Sequence, residues 1–223
     1  MYNIETLQFF QSIVEHTLGG FAGKRVLELG NQEIWEHARV RCGVLFPVAK
    51  SWYGSMGAEE HISLDMNGMD GAIQVDLGKR INCAAWRGRF DLVTNVGTLE
   101  HVGEWVQNLD DPTAALGERM LSQYTCLANM HNFTVVGGLI AHALMPKGDW
   151  DTHCMFRHDE RFVEVLARLN RYEIVACERT QLLTLNPDAE IIHVLLRKMH
   201  GDAFSSGDGE LAETIEFHKD KRM

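Results

Sequence analysis

Hydrophobic positions along the chain fall into two kinds of run. Near the start, Ile4, Leu7, Phe10, Ile13, Val14 and Leu18 recur at helical spacing, after Asn3, which suits a helix cap, and before Gly19-Gly20, which end the pattern. Further on come short apolar stretches: VLEL (26–29), HISLD (61–65), AIQVD (72–76), FDLVTNV (90–96), GGLIAHALMP (137–146), YEIVACE (172–178) and AEIIHVLLRK (189–198). These are seven candidate strands. The first five are nearly continuous rather than alternating, the pattern of strands covered on both faces, and most are far enough apart for crossover connections.

One helix is predicted from Asp111-Pro112 through AALGERMLSQYTCLANMH, with Asp as cap and Pro at the first helical position. Another begins near His158-Asp159 and carries Phe162, Val165, Leu166 and Leu169. The last two strands can pair antiparallel through QLLTLNPD, where Asn186-Pro187-Asp188 supply turn chemistry. The expected fold is therefore α/β: a doubly wound, mostly parallel seven-stranded sheet with helices on both faces and an antiparallel strand near the C-terminus. Residues 1–200 are expected to form one domain, opening with a helix within 1–20. Residues 201–223 are polar and poor in core positions, which predicts a loosely held tail or a helix that docks a partner.

Composition narrows the function classes. A chain of 223 residues with 45% hydrophobic content can bury one sizeable core. No apolar run approaches a membrane span and the first residues lack a secretory pattern, so a soluble, cytoplasmic protein without membrane attachment is expected. Cys42, Cys83, Cys126, Cys154 and Cys177 form no CxxC pair, which argues for reduced thiols rather than disulfides or a thiolate zinc site. The net charge of −10, with dispersed Lys and Arg, argues against a nucleic-acid partner and is compatible with a homo-oligomer.

In an open parallel sheet, ligands bind beyond the carboxyl ends of the strands, beside the point where strand order reverses. The residues at those ends are Glu28 and Gly30, then Asp65, then Asp76, then Thr94-Asn95-Val96-Gly97. Clustered carboxylates are costly unless hydroxyls, amines or positive charge sit among them, as in a nucleoside bearing a cationic group. Asp65 is placed to accept from both ribose hydroxyls, Asp76 from an adenine amino group, and Gly30 lets backbone approach a ligand. Glu28 can fix the turn or attract an ammonium. A dinucleotide would need a glycine-rich turn around its pyrophosphate, whereas Gly30-Asn31-Gln32-Glu33 offers a single glycine and a carboxylate that repels phosphate.

The succession VLELG, ISLDMNG, AIQVDLG, FDLVTNVGTLEHV and NMHNFTVVGGLIAHALMP resembles the class I S-adenosylmethionine-dependent methyltransferases over roughly residues 20 to 200. That resemblance implies S-adenosylmethionine as cofactor. It assigns Glu28 and Gly30 to the methionine-side motif, Asp65 to the ribose, Asp76 with Leu77 to the adenine, and the Asn95-Val96-Gly97 backbone to the neighbourhood of the methionine amine. The chain departs from the family's glycine-rich first loop, keeping only Glu28-Leu29-Gly30, and thirty-seven positions separate Glu28 from Asp65. Weak or partner-dependent cofactor binding would follow. Tyr53 and Met56, within that long crossover, could form a lid or simply pack.

Methyl transfer from a sulfonium is an in-line displacement, in which the protein aligns the nucleophile and removes its proton. His101 ranks first as base because of its motif context, followed by His153 and His142, and Trp150 could stack on an acceptor ring or sugar. His131, near the end of its helix, reads as a packing residue or dipole partner. A metal held by His101, His142, His153 and an acid lacks a tight ligand spacing in the sequence, so none is expected. The leading expectation is a methyltransferase acting on a small molecule or saccharide, O-methylation preferred. The alternatives are a binding or scaffold protein with a degenerate cofactor loop, and a nicotinamide-dependent enzyme, which the missing phosphate loop disfavours.

Overall fold

The computed structural model describes residues 1–104, 112–146, 153–182 and 189–217. The opening stripe folds as α1 (Ile4–Phe9), a π-helical turn (Phe10–Val14) and α2 (Glu15–Leu18). The Asn3 side chain accepts from the Thr6 amide at 2.7 Å, and Gly19 ends the run with φ 75°. After β1 (Arg25–Leu29) come α3 (Glu36–Cys42), α4 (Ala49–Ser55), β2 (Glu60–Asp65), β3 (Ile73–Gln74) and β4 (Phe90–Val96). Then follow α5 (Pro112–Phe133), β5 (Thr134–Leu144), β6 (Phe156–His158), α6 (Glu160–Leu169), β7 (Tyr172–Gln181), β8 (Glu190–Lys198) and β9 (Ile215–Phe217).

Seven strands form one sheet in the order β3-β2-β1-β4-β5-β8-β7, parallel except for β8, which runs antiparallel to both its neighbours. The expected fold class therefore holds. Strand order reverses between β1 and β4, and the register pairs Leu29 with both Leu64 and Asn95, so Gly30, Asp65 and Gly97 emerge along one edge.

Alternation along the strands divides the core in two. Leu27, Leu29, Val93 and Ile140 face Leu127 and Met130 of α5 and Phe162 and Leu166 of α6. Val26, Leu92, Ala141 and Leu195 face Phe10 of the π turn and Trp52 and Tyr53 of α4.

Two expectations change. β3 is a two-residue edge strand with Ile73 exposed, so Asp76 sits in the turn beyond it rather than at its tip. The tail is not loosely held over 211–217. Leu211, Thr214 and Ile215 are buried, and β9 pairs antiparallel with β6 in a separate two-stranded ribbon. The composition is polar because only the few inward-facing residues need be otherwise. The turn expected at Asn186-Pro187-Asp188, and Asp111 as a cap, lie outside the described residues.

Candidate functional site

At the carboxyl edge of β1, β2 and β4 lies a cavity of about 890 Å³. Of the residues singled out in the sequence, Gly30, Asp65, Asp76, Leu77, Val96, Gly97, His101 and His153 line it, whereas Glu28, Asn95 and His142 do not. Trp150 lies outside the described residues. Asp65 and Asp76 stand on the wall that continues β2 and β3. His101 follows β4, and His153 precedes β6.

Each acid also organises its own loop. Asp65 accepts from the amides of Asn31 at 2.7 Å and Asn67 at 2.9 Å. Asp76 accepts from the Gly78 amide at 2.9 Å and meets the exposed Lys79 ammonium at 3.4 Å. A carboxylate has about four acceptor positions, so these bonds leave capacity facing the cavity.

The first loop is braced by side chains that the sequence reading did not single out. Gln32 donates to Thr98 Oγ1 at 3.0 Å, and Thr98 donates to the Leu29 carbonyl at 3.0 Å, tying the β1 loop to the β4 loop. Gly30 lies beneath them with φ 80°, and a Cβ there would collide with Thr98 Oγ1 and Gln32 Nε2. Left-handed backbone plus the collision should make Gly30→Ala cost about 2–3 kcal/mol in chemical denaturation. A loss below ~0.5 kcal/mol would show a loop that readjusts freely.

Glu28 points to the other side. Between Leu27 and Leu29, which face α5, it falls on the α4 side of the sheet, fully buried and 3.5 Å from His61 Nε2. Among the described residues, neither of its oxygens has a hydrogen-bond partner. Tyr53 stacks on His61 at 5.2 Å and bonds Tyr2 through their hydroxyls at 2.8 Å. Burial, with the Glu28 charge adding to it, holds the Tyr53 phenol well above its ordinary range. Tyr53 and the partly buried Met56 are therefore packing residues of this core.

His142 is also interior. Its Nδ1 accepts from the Asn95 amide at 3.2 Å, and burial lowers its pKa to about 4. Asn95 in turn accepts from the Leu99 amide at 2.8 Å, so this pair shapes the 3-10 turn Leu99–His101 from below. His131 packs too, bonding the Tyr172 hydroxyl and the Asp202 carbonyl, both at 2.7 Å.

His101 is held differently. Its Nδ1 lies 3.0 Å from Glu104 Oε1, which also accepts from the Met155 amide at 2.9 Å. A carboxylate only accepts, so Nδ1 donates this bond and carries a proton. The His153 ring stands edge-on at 5.0 Å. Glu104, three residues beyond His101, was accessible from spacing alone, but the tie from Met155 was not.

Among the described residues that line the wall, the charged side chains apart from Asp65 and Asp76 are few, with Lys79 the single lysine and no arginine. That suits a neutral or cationic ligand better than a diphosphate.

No protein-family model matches the chain, and no curated protein sequence does. Solved structures do. The Burkholderia thailandensis 1,6-didemethyltoxoflavin-N1-methyltransferase, with bound 1,6-didemethyltoxoflavin and S-adenosylhomocysteine, superposes with a TM-score of 0.51 at 15% identity, covering 85% of this chain and 76% of that one. The N-methyltransferase NodS from Bradyrhizobium japonicum WM9, in complex with S-adenosylhomocysteine, gives 0.51 at 12% identity and covers 89% of each chain.

The chain has the class I, Rossmann-like methyltransferase fold. The methyltransferase fold does not by itself fix a reaction, since the cyclase SpnF matches with a TM-score of 0.54 at 12% identity over 88% of this chain and 82% of that one.

Proposed function

We propose that the protein is an S-adenosylmethionine-dependent methyltransferase of a small, neutral acceptor such as a hydroxylated small molecule or saccharide, with O-methylation preferred. The observation that carries this reading is a single cavity joining an acidic, nucleoside-sized wall to a histidine end. Asp65 would hold the ribose hydroxyls through its remaining acceptor positions, with Asp76 and Leu77 bordering the adenine. Gly97 and its neighbours would receive the methionine end.

The residues fit such a ligand. Pockets for ligands of this size span about 300–1,000 Å³, and the cavity lies near the upper end, which leaves room for an acceptor. The bound cofactor would supply an electrophilic methyl on a sulfonium. What the chain itself supplies is alignment and proton handling: His101, its ring oriented by the Glu104–Nδ1 bond, is the first candidate to take the acceptor proton, and His153 the second. Interior His142 drops out of this role.

Titration calorimetry with S-adenosylhomocysteine tests the reading. Binding should be one-to-one, and Asp65→Ala should weaken it by about 1–3 kcal/mol through lost hydrogen bonds to a hydroxylated ligand. Unchanged affinity in that variant would misplace the nucleoside. A specific observation favours the second reading, a methyltransferase-like binding protein: the loop above Gly30 is closed by Gln32 and Thr98 rather than left open. No binding of the cofactor product at millimolar concentration would select it.

A further inference from the structure

We propose that Glu100, His101 and His153 form a binding site for one divalent transition-metal ion at the histidine end of the cavity. One ligand atom from each of the three lies within 4.8 Å of the other two. Two imidazoles and one carboxylate are a donor set that suits Zn²⁺, Fe²⁺, Co²⁺ or Mn²⁺ and leaves positions open for other ligands.

Independent features point the same way. The Glu100 side chain is buried, with 0% of the residue exposed, and among the described residues neither carboxylate oxygen has a hydrogen-bond partner. Such a group is costly unless a cation or proton joins it. Its Oε1 lies 4.0 Å from His101 Nε2, while the opposite ring nitrogen of His101 is tied to Glu104 at 3.0 Å. A carboxylate fixing the far nitrogen of an imidazole is the usual outer support of a metal-bound histidine. The Met155 amide pins that carboxylate in turn.

Tetrahedral ligands about 2.1 Å from an ion stand roughly 3.4 Å apart, so the three groups must draw together. His153 is exposed and precedes β6, and its ring already stands 5.0 Å from that of His101. His101 and His153 both line the cavity, which places the open positions of the ion toward the acceptor.

The role of the ion rests on the methyltransferase reading, although its binding does not; with the ion bound, His101 and His153 serve as ligands and give up the role of base. A hydroxyl oxygen on an open position would lose its proton to solvent. Its lone pair would then form the O–CH₃ bond as the S–CH₃ electrons return to sulfur.

Calorimetry with Zn²⁺ alone, on the full chain without cofactor, tests the site. One-to-one binding is expected, weakened at least tenfold by His153→Ala and by Glu100→Gln, and unaltered by His37→Ala, a change at another exposed histidine. Co²⁺ should give d–d absorption without a thiolate charge-transfer band, which separates this site from the cysteines. His153→Ala alters an exposed residue and keeps the test valid if Glu100→Gln fails to fold. Absence of one-to-one binding, or equal affinity in the His153→Ala protein, would overturn the site. Zn²⁺ binding in a protein that does not bind S-adenosylhomocysteine would keep the site and remove the methyl-transfer role.

Discussion

Acidification from pH 7 to pH 5 should cost the fold up to about 5 kcal/mol, with unfolding near pH 5 taking up close to three protons. The source is three buried histidines held neutral. Burial lowers His131, His142 and His193 each to about 4, and at His131 the nearby Lys198 and His200 add to it. Each is about 1% exposed. Their hydrogen bonds agree: His142 Nδ1 accepts from Asn95, and His193 bridges Thr6 and Thr180 at 3.0 and 3.4 Å while stacking on Phe9.

The sign follows from linkage. A group with a depressed folded pKa contributes its full stability above the unfolded value near 6.5 and loses it as pH falls toward the folded value near 4. Between those limits the unfolded chain binds protons that the native state refuses, at roughly 1.4 kcal/mol per histidine per pH unit. Glu100, raised by burial, acts in the opposite sense, with one proton against three. Urea titrations across this range check the slope. His193→Gln, which can still bond Thr6, should remove about one third of it. A stability flat between pH 7 and 5 would mean that these rings accept protons in the native state.

Legibility in the sequence tracked how local each determinant is. β1, β2 and β4 were readable because strands covered on both faces carry unbroken apolar runs. β3 was overestimated because AIQVD has the same look, yet as an edge strand it pairs over only two residues. Asp65 and Asp76 line the cavity because strand ends in this layout converge on one edge. Glu28 was assigned to that edge by its place in the chain, but the period-two alternation of β1 turns it into the α4 core, and the same rule takes His142 inside. The bracing of Gly30 by Gln32 and Thr98 joins residues 66 positions apart, and no local pattern marks such a pair. Nor did polarity after residue 200 reveal β9, whose partner β6 lies some 60 residues earlier.

Replacing Gln123 by Leu should lower stability by about 3–5 kcal/mol and, under the proposed chemistry, reduce turnover far more than affinity for S-adenosylhomocysteine. Gln123 of α5 is fully buried, and its Nε2 donates to the carbonyls of Leu99 at 2.6 Å and Val102 at 2.7 Å, on either side of Glu100-His101. Its Oε1 lies 3.2 Å from His158 Nε2, tying the same turn to β6. Leucine fills a similar space but donates nothing, so two buried carbonyls lose a donor and an imidazole loses its acceptor. Each such loss is worth roughly 1–3 kcal/mol, and together they exceed the gain from burying an apolar side chain. The turn would then lose its ties to α5 and keep the Asn95 bond to the Leu99 amide and the Glu104 contact with His101. Asp65, the proposed ribose contact, belongs to β2, so affinity for the cofactor product should change less than threefold. Denaturant midpoints give the first quantity and calorimetry the second; equal loss in turnover and affinity would show that Gln123 supports the whole cavity rather than its histidine end.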